Sequence, residues 1–309
     1  MSFNVAITGA TGFIGSAVLA ELLAISSNVT VLLRPETDCT RLSLFNGLKT
    51  ITYSNLISHE TVDALSEHQP DIFIHCGWRG VGGQQRNEAF QITENIPVAL
   101  EAVELAAASG CKKWIGLGSQ AEYGNQNRRL DENASLQPTT LYGKAKLAAG
   151  IAALALCEAR QMQGVWLRVF STYGPDDAPY WFLPYVIQEF LGGRAPKLTK
   201  CEQLWDYLYV TDAARAIIAS AISSTNGVYN LGSGSSRPLR DYIEAIRSQL
   251  GSTLEPDYGA IHYRPDQVML LEADITKLTS ETSWLPKISL AVGIAKTIEY
   301  ERNIRNSLT

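Results

Sequence analysis

The sequence of 309 residues is poor in cysteine, and the cysteines it has lie far apart. They are Cys39, Cys76, Cys111, Cys157 and Cys201. Their number is odd and no two form a Cys-x-x-Cys pair, which argues against a structural zinc site and against a disulfide framework. The histidines are also dispersed, so the sequence indicates no metal site. We expect free thiols and a reducing, cytoplasmic environment.

The chain also lacks the runs that mark membrane insertion, export and nucleic-acid binding. No stretch approaches the roughly 18 consecutive apolar residues of a membrane helix. The first residues, MSFNVAITGATGFIG, carry no basic region and enter a strand pattern at once, unlike a signal peptide. The formal net charge is −5, and there is no long basic run. A nucleic-acid partner is therefore not expected.

What the sequence does have is an alternation of short apolar runs with helical patterns. Predicted strands cover 4–8, 28–33, 71–76, 112–119 and 164–170, and predicted helices cover 13–24, 61–68, 92–110 and 140–161. Strands rich in Val, Ile and Leu that alternate with helices are typical of a parallel sheet covered on both faces. We therefore predict an α/β fold with a Rossmann-type, doubly wound parallel sheet.

The regular alternation of predicted strands and helices ends after STYGP, residues 171–175. Proline and aromatic residues then cluster, and helices are predicted near 211–224, 237–250 and 289–305. We predict an NADP(H)-binding portion with the catalytic residues over 1–175 and a smaller α/β substrate-binding portion over 176–309, between which the chain can cross back. The acidic pair Asp176-Asp177 opens the second portion. It is expected on a solvated loop, with a substrate contact as the alternative.

Three glycines separate the first predicted strand from the first predicted helix. Gly9, Gly12 and Gly15 lie in GATGFIG, and another strand follows the helix. Glycines at this place allow a tight turn and a close approach of a pyrophosphate to the free N–H groups of the helix N-terminus. The context indicates a dinucleotide site, and the alternative is an ordinary turn between strand and helix.

The end of the second predicted strand indicates which dinucleotide is bound. An acid there would bind the adenosine 2′-hydroxyl of NAD, but VLLRPETD places Arg34 at this position. A guanidinium pairs well with a 2′-phosphate, so we predict that NADP(H) is favoured over NAD(H). Two alternatives stay open: Arg34 can be solvated and stack on the adenine, and Asp38 is close enough to keep NAD possible.

A tyrosine precedes a lysine by four residues in TLYGKAK, at the start of a predicted helix, so Tyr142 and Lys146 share one face. By itself this spacing is common. A lysine ammonium near a phenol lowers the phenol pKa from about 10, which makes Tyr142 a proton donor or acceptor near neutral pH. Ser119 ends the preceding strand, at the sheet edge where open α/β sheets bind ligands, and its hydroxyl can bond a substrate oxygen.

These motifs resemble those of the extended short-chain dehydrogenase/reductases, the NAD-dependent epimerase/dehydratase family. Thr8 through Gly15 fit its Thr-Gly-x-x-Gly-x-x-Gly motif, DIFIHC resembles its strand with a histidine near the end, and RVFSTYGP resembles its Arg-x-x-x-x-Tyr-Gly-Pro turn. The resemblance implies a catalytic set, in which an asparagine helps to hold the lysine through water. This set is Ser119, Tyr142, Lys146 and Asn95.

The resemblance also implies the residues that bind the cofactor and the substrate. For the cofactor these are Gly9, Thr11, Gly12, Phe13, Ile14, Gly15, Arg34, Tyr142 and Lys146. For the substrate they are Ser119, Gln120, Tyr142 and Arg264, of which Arg264 in HYRPDQVML resembles the arginine that such enzymes aim at a diphosphate. Trp205 and Ser171 depart from the pattern, which often has arginine and asparagine there. The aromatic residues of PYWFLPYVI can border the sugar or base, or belong to the core.

Family members with this architecture act on nucleotide sugars as epimerases, 4,6-dehydratases, decarboxylases or reductases. Where the 4,6-dehydratases place Asp-Glu, this chain has Gln120-Ala121, and neither side chain can transfer the protons that elimination of water needs. NADP suits net reduction, and GSQAEYG with WDYLYVTDAARA resembles the nucleoside-diphosphate 4-keto-6-deoxyhexose reductases of the CDP-abequose synthase type. We therefore predict a C4-ketone reductase. The alternatives are an epimerase that returns hydride to its own product, and a non-catalytic NADP(H)-sensing protein.

The two long predicted helices bear on oligomeric state. Helices 92–110 and 140–161 are rich in alanine and carry apolar stripes. In the resembled family the equivalent helices pair across a two-fold axis into a four-helix bundle, so we expect a homodimer. The alternative is that both helices only cover the sheet of a monomer.

Overall fold

The computed structural model of the protein describes residues 3–25 and 27–308. Its strands are β1 Asn4–Thr8, β2 Asn28–Leu33, β3 Lys49–Thr52, β4 Ile72–His75, β5 Lys113–Ser119, β6 Arg128–Leu130, β7 Gln163–Val169, β8 Ser171–Tyr173, β9 Lys197–Leu198, β10 Leu204–Trp205, β11 Tyr207–Tyr209, β12 Gly227–Leu231, β13 Arg237–Pro238, β14 Asp257–Tyr258 and β15 Leu270–Ala273. Its helices are α1 Phe13–Ala24, α2 His59–Ser66, α3 Phe90–Thr93, α4 Asn95–Ala108, α5 Leu141–Ala159, α6 Phe182–Leu191, α7 Val210–Ile222, α8 Leu239–Leu250, α9 Thr276–Thr282 and α10 Leu290–Leu308.

Seven strands form one sheet in the order β12-β7-β5-β4-β1-β2-β3, and every neighbouring pair is parallel. Helices cover both faces, so the central strands are buried along almost their whole length, as their continuous apolar runs predict. The predicted Rossmann-type α/β fold is confirmed. The strand order changes direction between β1 and β4, and the carboxyl ends of these two strands form the crevice where such sheets bind ligands.

The strands that the sequence did not predict lie at the edges. In β3 only Ile51 is buried, so this strand has no apolar alternation long enough to be recognised. Strand β12 belongs to the second portion of the chain and adds to the other edge, beside β7. A second sheet, in the order β13-β10-β15-β6, likewise joins β6 of the first portion to strands of the second. The chain therefore crosses between the two portions in both directions.

The packing of α5 against the sheet positions the helix that carries Tyr142 and Lys146. Trp114 and Trp166 stack on this face of the sheet with ring centroids 6.2 Å apart. A Cβ atom at Gly150 of α5 would lie 2.6 Å from Nε1 of Trp166, so the absence of a side chain lets the helix approach the indole closely. The buried alanines of α4 and α5 complete this layer.

A separate apolar cluster holds the second portion together. It is built from α6, α8 and α10 and includes Leu183, Val186 and Ile187 of α6. These three residues come from the aromatic-rich run PYWFLPYVI, so that part of the run belongs to the core. Over the described ranges, no helix has both the length and the apolar character to cross a bilayer. All five cysteines are free thiols.

Candidate active site

In the glycine turn between β1 and α1, backbone segments lie so close together that no side chain fits between them. Gly9 has φ +71°, and a Cβ atom there would lie 2.5 Å from the Gly77 nitrogen. A Cβ atom at Gly15 would lie 2.1 Å from the Gly9 carbonyl oxygen. Helix α1 begins after Gly12, and no side chain caps its first N–H groups. The turn therefore fits a pyrophosphate, because only glycines allow this geometry and the helix N-terminus offers free donors. Thr11, Phe13 and Ile14 line the same turn and are partly buried.

The predicted cofactor-selecting residue lies directly after β2. Arg34 follows Leu33, the last residue of the strand, and its side chain is exposed. One carboxylate oxygen of Asp38 accepts two hydrogen bonds, from the Thr40 nitrogen at 2.9 Å and from the Thr40 hydroxyl at 2.6 Å. These bonds lower the pKa of Asp38. Arg34 is thus the exposed cation directly after this strand, and Asp38 uses one carboxylate oxygen to stabilise its own turn.

Ser119 is the last residue of β5, and two hydrogen bonds to the turn that follows fix its position. Its hydroxyl accepts from the Ala121 nitrogen at 3.1 Å, and its own nitrogen donates to Oε1 of Glu122 at 2.8 Å. This arrangement is a capping box, which satisfies two backbone donors at once. Gln120 follows and is half-buried. The Ser119 side chain is therefore held at the carboxyl edge of the sheet, as the sequence predicted.

Tyr142 and Lys146 lie on the buried face of α5, whose first turn is capped by the Thr140 hydroxyl. The Lys146 ammonium donates to the Leu117 carbonyl at 2.6 Å and lies 3.7 Å from the ring centroid of Trp78. Burial lowers the pKa of Lys146 to about 7, and the charge of Glu122 acts in the opposite direction. Lys146 therefore changes its charge close to neutral pH.

The expected effect of Lys146 on Tyr142 is not what the structure shows. The pKa of Tyr142 is raised above its ordinary value, because burial outweighs the Ser119 hydroxyl and the Arg86 guanidinium, which both lower it. The Lys146 nitrogen lies 5.9 Å from the Tyr142 ring centroid and bonds elsewhere. Ser119 and Tyr142 are thus brought together, and of the two nearby cations Arg86 lies closer to the phenol ring than Lys146.

Comparison with known proteins identifies the family. Residues 5–232 match the sequence model of the NAD dependent epimerase/dehydratase family. The chain belongs to this family. The prediction of an NAD(P)-dependent enzyme is thereby confirmed, whereas the narrower resemblance to the abequose synthase type is not established.

The relatives found in this family differ in activity. UDP-glucose 4-epimerase of Mycolicibacterium smegmatis is 24% identical over 310 residues, which cover 96% of this chain and 98% of the relative. The dTDP-4-dehydro-6-deoxyglucose reductase of Escherichia coli is 24% identical over 313 residues, which cover 96% of each chain. Among solved structures, UDP-N-acetylglucosamine 4-epimerase from Methanobrevibacter ruminantium M1, in complex with UDP-N-acetylmuramic acid, has a TM-score of 0.87 and 26% identity over 98% of this chain and 99% of its own.

Arg86 is a site residue that the sequence analysis missed. Its guanidinium carbon lies 4.8 Å from the ring centroid of Tyr142 and 5.9 Å from that of Trp181. Its Nε donates to the Val81 carbonyl at 3.1 Å, and its own carbonyl accepts from the Tyr142 nitrogen at 2.8 Å. The only signal in the sequence is a cation in a loop after β4, at the edge of the sheet where ligands bind in this fold.

Asn95 begins α4 and clamps the loop that carries Trp78. Its Oδ1 accepts from the Arg79 nitrogen at 3.0 Å, and its Nδ2 donates to the Arg79 carbonyl at 2.9 Å and to Oε1 of Gln91 at 3.1 Å. The same Oε1 accepts from the Trp78 indole at 2.9 Å. Asn95 thus positions Trp78, on which the Lys146 ammonium rests, and its role in a water relay to the lysine stays a prediction.

The residues predicted to bind the substrate lie in several separate parts of the structure. Arg264 is exposed, and the structure gives its side chain no bonding partner within the described ranges. Trp205 and Ser171, which both depart from the family pattern, pair with each other: the indole Nε1 donates to the Ser171 hydroxyl at 2.8 Å. From the aromatic run, Tyr180 is 63% exposed and Trp181 contacts Arg86, so these two border the site while the residues after them form core.

An ion pair joins the glycine turn to the second portion of the chain. Arg41 donates through Nη1 to the Thr11 carbonyl at 2.8 Å and through Nη2 to the Asp176 carbonyl at 2.9 Å, and its Nε pairs with the Asp176 carboxylate. The Tyr300 hydroxyl donates to the other carboxylate oxygen of Asp176 at 2.7 Å. The expectation of a solvated loop is therefore wrong for Asp176, which helps to hold the cofactor turn against α10.

Asp177 follows Asp176 of this ion pair, and its pKa allows a prediction about the thermal stability of the protein. Burial raises the pKa of Asp177 to about 7. A carboxyl group with a raised pKa binds more protons in the folded than in the unfolded state, so its contribution to stability falls as pH rises from about 4 to 7. We expect Asp177→Asn to raise the Tm above pH 7 by roughly 1–2 °C, the shift that about 1 kcal/mol causes in a chain of 309 residues.

Thermal unfolding at several pH values measures this effect. The advantage of Asp177→Asn should shrink as pH falls towards 4, because the wild-type carboxyl is then protonated in both states. Asn keeps the oxygen that accepts from the Ala178 nitrogen at 2.8 Å. Asp176→Asn is the matched control and should lower the Tm, since it weakens the bonds to Arg41. An advantage of Asp177→Asn that does not change with pH would contradict the assignment.

Proposed function

We propose that the protein reduces the C4 ketone of a nucleoside-diphosphate 4-keto-6-deoxyhexose with NADPH, in the biosynthesis of a deoxysugar in the cytoplasm. The observation that carries the proposal is the exposed guanidinium of Arg34 directly after β2, together with the two hydrogen bonds that one carboxylate oxygen of Asp38 accepts from Thr40. A cation there favours the 2′-phosphate of NADP(H), and a reductase consumes such a cofactor in each turnover.

The groups around Ser119 argue against elimination of water. Gln120 and Ala121 carry no acid or base. The nearest carboxylate in sequence, Glu122, is fully buried and accepts from the Ser119 nitrogen, from the Trp166 indole and from Arg168. It is thus unavailable to transfer protons to a sugar. Reduction or epimerisation needs only one proton donor at the carbonyl oxygen, and Tyr142 meets this need.

The mechanism assigns one role each to Tyr142, Ser119 and Lys146. When bound, NADPH supplies the hydride for the ketone carbon. Tyr142 donates its proton to the oxygen that becomes an alkoxide, and the Ser119 hydroxyl holds this oxygen by a hydrogen bond. The Lys146 ammonium offsets the negative charge that remains on Tyr142 after the transfer. Gly9, Gly12 and Gly15 would hold the pyrophosphate of the cofactor at the start of α1, with Thr11, Phe13 and Ile14 on the same turn.

The substrate binds, in this proposal, between the catalytic set and the second portion of the chain. Arg264 would pair with the diphosphate, to which a guanidinium can offer two parallel donors. Arg86 and Trp181 border the catalytic tyrosine and would face the sugar. The Trp205–Ser171 pair replaces the arginine and asparagine of the family pattern, so the contacts to the base should differ from those of family members that keep them.

Cofactor oxidation with a panel of substrates tests the function. NADPH and NADH consumption should be followed with nucleotide-linked 4-keto-6-deoxy sugars, and the C4 configuration of the product read by NMR. We expect one NADPH to be oxidised for each sugar reduced, with NADPH preferred over NADH. Tight binding of NADPH without reaction of any keto sugar would contradict the proposal and favour a cofactor-sensing protein.

A 4-epimerase is the second candidate, because the solved epimerase described above covers nearly the whole chain at a TM-score of 0.87. An epimerase would use the same Tyr142 and Lys146 but would return the hydride to its own product. The two candidates differ in stoichiometry: an epimerase interconverts two nucleotide sugars without net consumption of NADPH or NADH. Interconversion of unreduced nucleotide hexoses with no change in cofactor absorbance would favour it.

We also propose that the protein is a homodimer that pairs through α4 and α5. These helices pack side by side, and their outer face carries Val98 and Ile151, the latter 63% exposed. We expect a dimer by light scattering and a monomer for Ile151→Glu, because a buried, unpaired carboxylate opposes association. Ile222→Glu is the matched control, since Ile222 is 49% exposed on α7. A wild-type monomer, or equal effects of the two variants, would contradict this interface.

A further inference from the structure

Glu122 is a carboxylate in the interior of the chain, directly behind the catalytic serine. Its side chain is fully buried. Oε1 accepts from the Ser119 nitrogen at 2.8 Å and from the Trp166 indole at 3.0 Å, and Oε2 accepts from Nε of Arg168 at 2.8 Å. Burial of a carboxylate is costly unless charged and polar donors satisfy it, and here three donors do so. The chain therefore maintains a negative charge at this point by a dedicated set of contacts.

The backbone around Glu122 is built to admit this carboxylate. A Cβ atom at Gly118 would lie 2.5 Å from Oε1 of Glu122 and 2.3 Å from Nε1 of Trp166, so the strand must have glycine there. On the other side, the Ser119 hydroxyl accepts from the Ala121 nitrogen at 3.1 Å. The two bonds of this capping box fix both the backbone and the side-chain oxygen of Ser119.

Glu122 also acts on Lys146 through its charge. The titratable and charged groups around Lys146 and Glu122 are His75 of β4, Cys76 directly after it, Tyr142 of α5, and Arg168 of β7, which pairs with Glu122. Burial lowers the pKa of His75 to about 3 and raises that of Cys76 to about 12, so both are uncharged near neutral pH. Tyr142 is uncharged as well, since its pKa is raised. Geometry links Glu122 to the lysine: the Lys146 nitrogen lies 5.8 Å from the ring centroid of Trp166, whose indole donates to Oε1 of Glu122 at 3.0 Å.

We propose that Glu122 is a positioning residue of the catalytic set, which fixes Ser119 through its backbone nitrogen and keeps Lys146 in its ammonium form. This inference rests on the proposed roles of Ser119 and Lys146. Glu122 touches neither substrate nor cofactor, so it acts through these two residues. Without its charge, the buried lysine would lose its proton at a lower pH, and a neutral amine cannot offset the charge left on Tyr142 after proton transfer.

The ionisation of Lys146 can be measured directly in the purified protein. Lysine labelled with 13C at Cε gives a resonance that moves on deprotonation, and Lys146→Met identifies the signal of Lys146. We expect a midpoint near 7 in the wild type, in line with the pKa of about 7. In Glu122→Gln the midpoint should fall by about one unit or more, the scale on which protein environments move titrating groups.

Two further variants separate the effect of the Glu122 charge on Lys146 from a general disturbance of the fold. Glu122→Gln leaves Arg168 unpaired and can destabilise the fold, so Glu122→Gln/Arg168→Met removes both charges and should lower the Lys146 midpoint as well. Tyr123→Phe removes the phenol that accepts from Arg168 at 3.0 Å and donates to Asn230 at 2.6 Å, but it leaves Glu122 and its bond to Ser119. It should leave the midpoint within a few tenths of a unit. An unchanged midpoint in both Glu122 variants, or an equal shift in Tyr123→Phe, overturns the proposal.

The pH dependence of turnover tests the consequence for activity. A midpoint that is one unit lower reduces the ammonium fraction tenfold at a pH above both midpoints, so kcat of Glu122→Gln at pH 8 should fall at least about tenfold. The loss should be smaller at pH 6, a pattern that a merely structural defect would not produce. A loss independent of pH contradicts the role of the charge. If the wild type reduces no keto sugar, the proposed function fails, while the titration of Lys146 still decides the role of Glu122.

Discussion

Replacement of Tyr142 by phenylalanine is expected to lower kcat for ketone reduction by about 10²–10⁴-fold, the range that a positioned acid or base contributes. The phenol is buried, and the Ser119 hydroxyl and the Arg86 guanidinium act on it. Because its pKa is raised, Tyr142 carries a proton over the whole neutral range and can donate it. Phenylalanine keeps the ring that packs edge-on against Trp78, with centroids 6.2 Å apart, so the fold should be retained.

Steady-state kinetics and a binding titration separate the loss of chemistry from a loss of binding. The Kd for NADPH should stay within a few-fold of the wild type, because the variant removes one phenol oxygen and leaves the glycine turn, Arg34 and Lys146 unchanged. Tyr123→Phe is the matched control, since it removes a buried phenol oxygen from the neighbouring turn without touching the proposed donor. Normal turnover in Tyr142→Phe would refute the mechanism, whichever substrate the enzyme uses.

The features that sequence alone predicted are local. The glycines of the first turn follow from backbone geometry, and the placement of Tyr142 and Lys146 on one face follows from the period of a helix. The five buried strands of the main sheet are continuous apolar runs, which is the pattern of a parallel sheet. In each case the signal lies within a few residues, so no knowledge of distant contacts was needed.

The site residues that the sequence analysis did not predict are brought to the site by contacts between segments that lie far apart in the sequence. Arg86 meets Tyr142 only because the loop after β4 folds over the start of α5, and Arg41 meets Asp176 across 135 positions. Glu122 looks in the sequence like an ordinary surface acid in a turn. Its burial becomes visible only when Trp166 and Arg168 of β7 are paired beside β5. Short strands such as β10 and β13 were missed for the same reason, since two residues carry no period.

The effect assigned to Lys146 shows the limit of a spacing argument. A separation of four residues places two side chains on one helix face, but it does not fix where a long, flexible side chain ends. The Leu117 carbonyl and the Trp78 ring bind the ammonium more directly than the phenol does. Burial then sets the direction of both pKa shifts: the lysine loses its proton more easily, and the tyrosine loses its proton less easily.

Replacement of Arg34 by glutamine is expected to weaken the preference for NADPH over NADH by roughly 10–100-fold in kcat/KM, since a hydrogen bond to a charged group contributes about 1.5–3 kcal/mol. The side chain is exposed directly after β2, and glutamine removes its charge while keeping much of its length. The loss should appear in KM for NADPH and leave kcat nearly unchanged, because the adenosine end lies far from the reacting carbonyl in a bound dinucleotide.

Asp38 supplies the decisive comparison for this cofactor preference. If an acid selected NAD here, Asp38→Asn should raise KM for NADH. The carboxylate instead accepts twice from Thr40, and one of these bonds comes from the backbone. We therefore expect Asp38→Asn to leave the ratio of kcat/KM for the two cofactors within a few-fold of the wild type. A wild type that prefers NADH, and that loses this preference in Asp38→Asn but not in Arg34→Gln, would make Asp38 the selecting residue. It would also remove the main support for net reduction over epimerisation, because the argument from a consumed cofactor depends on Arg34.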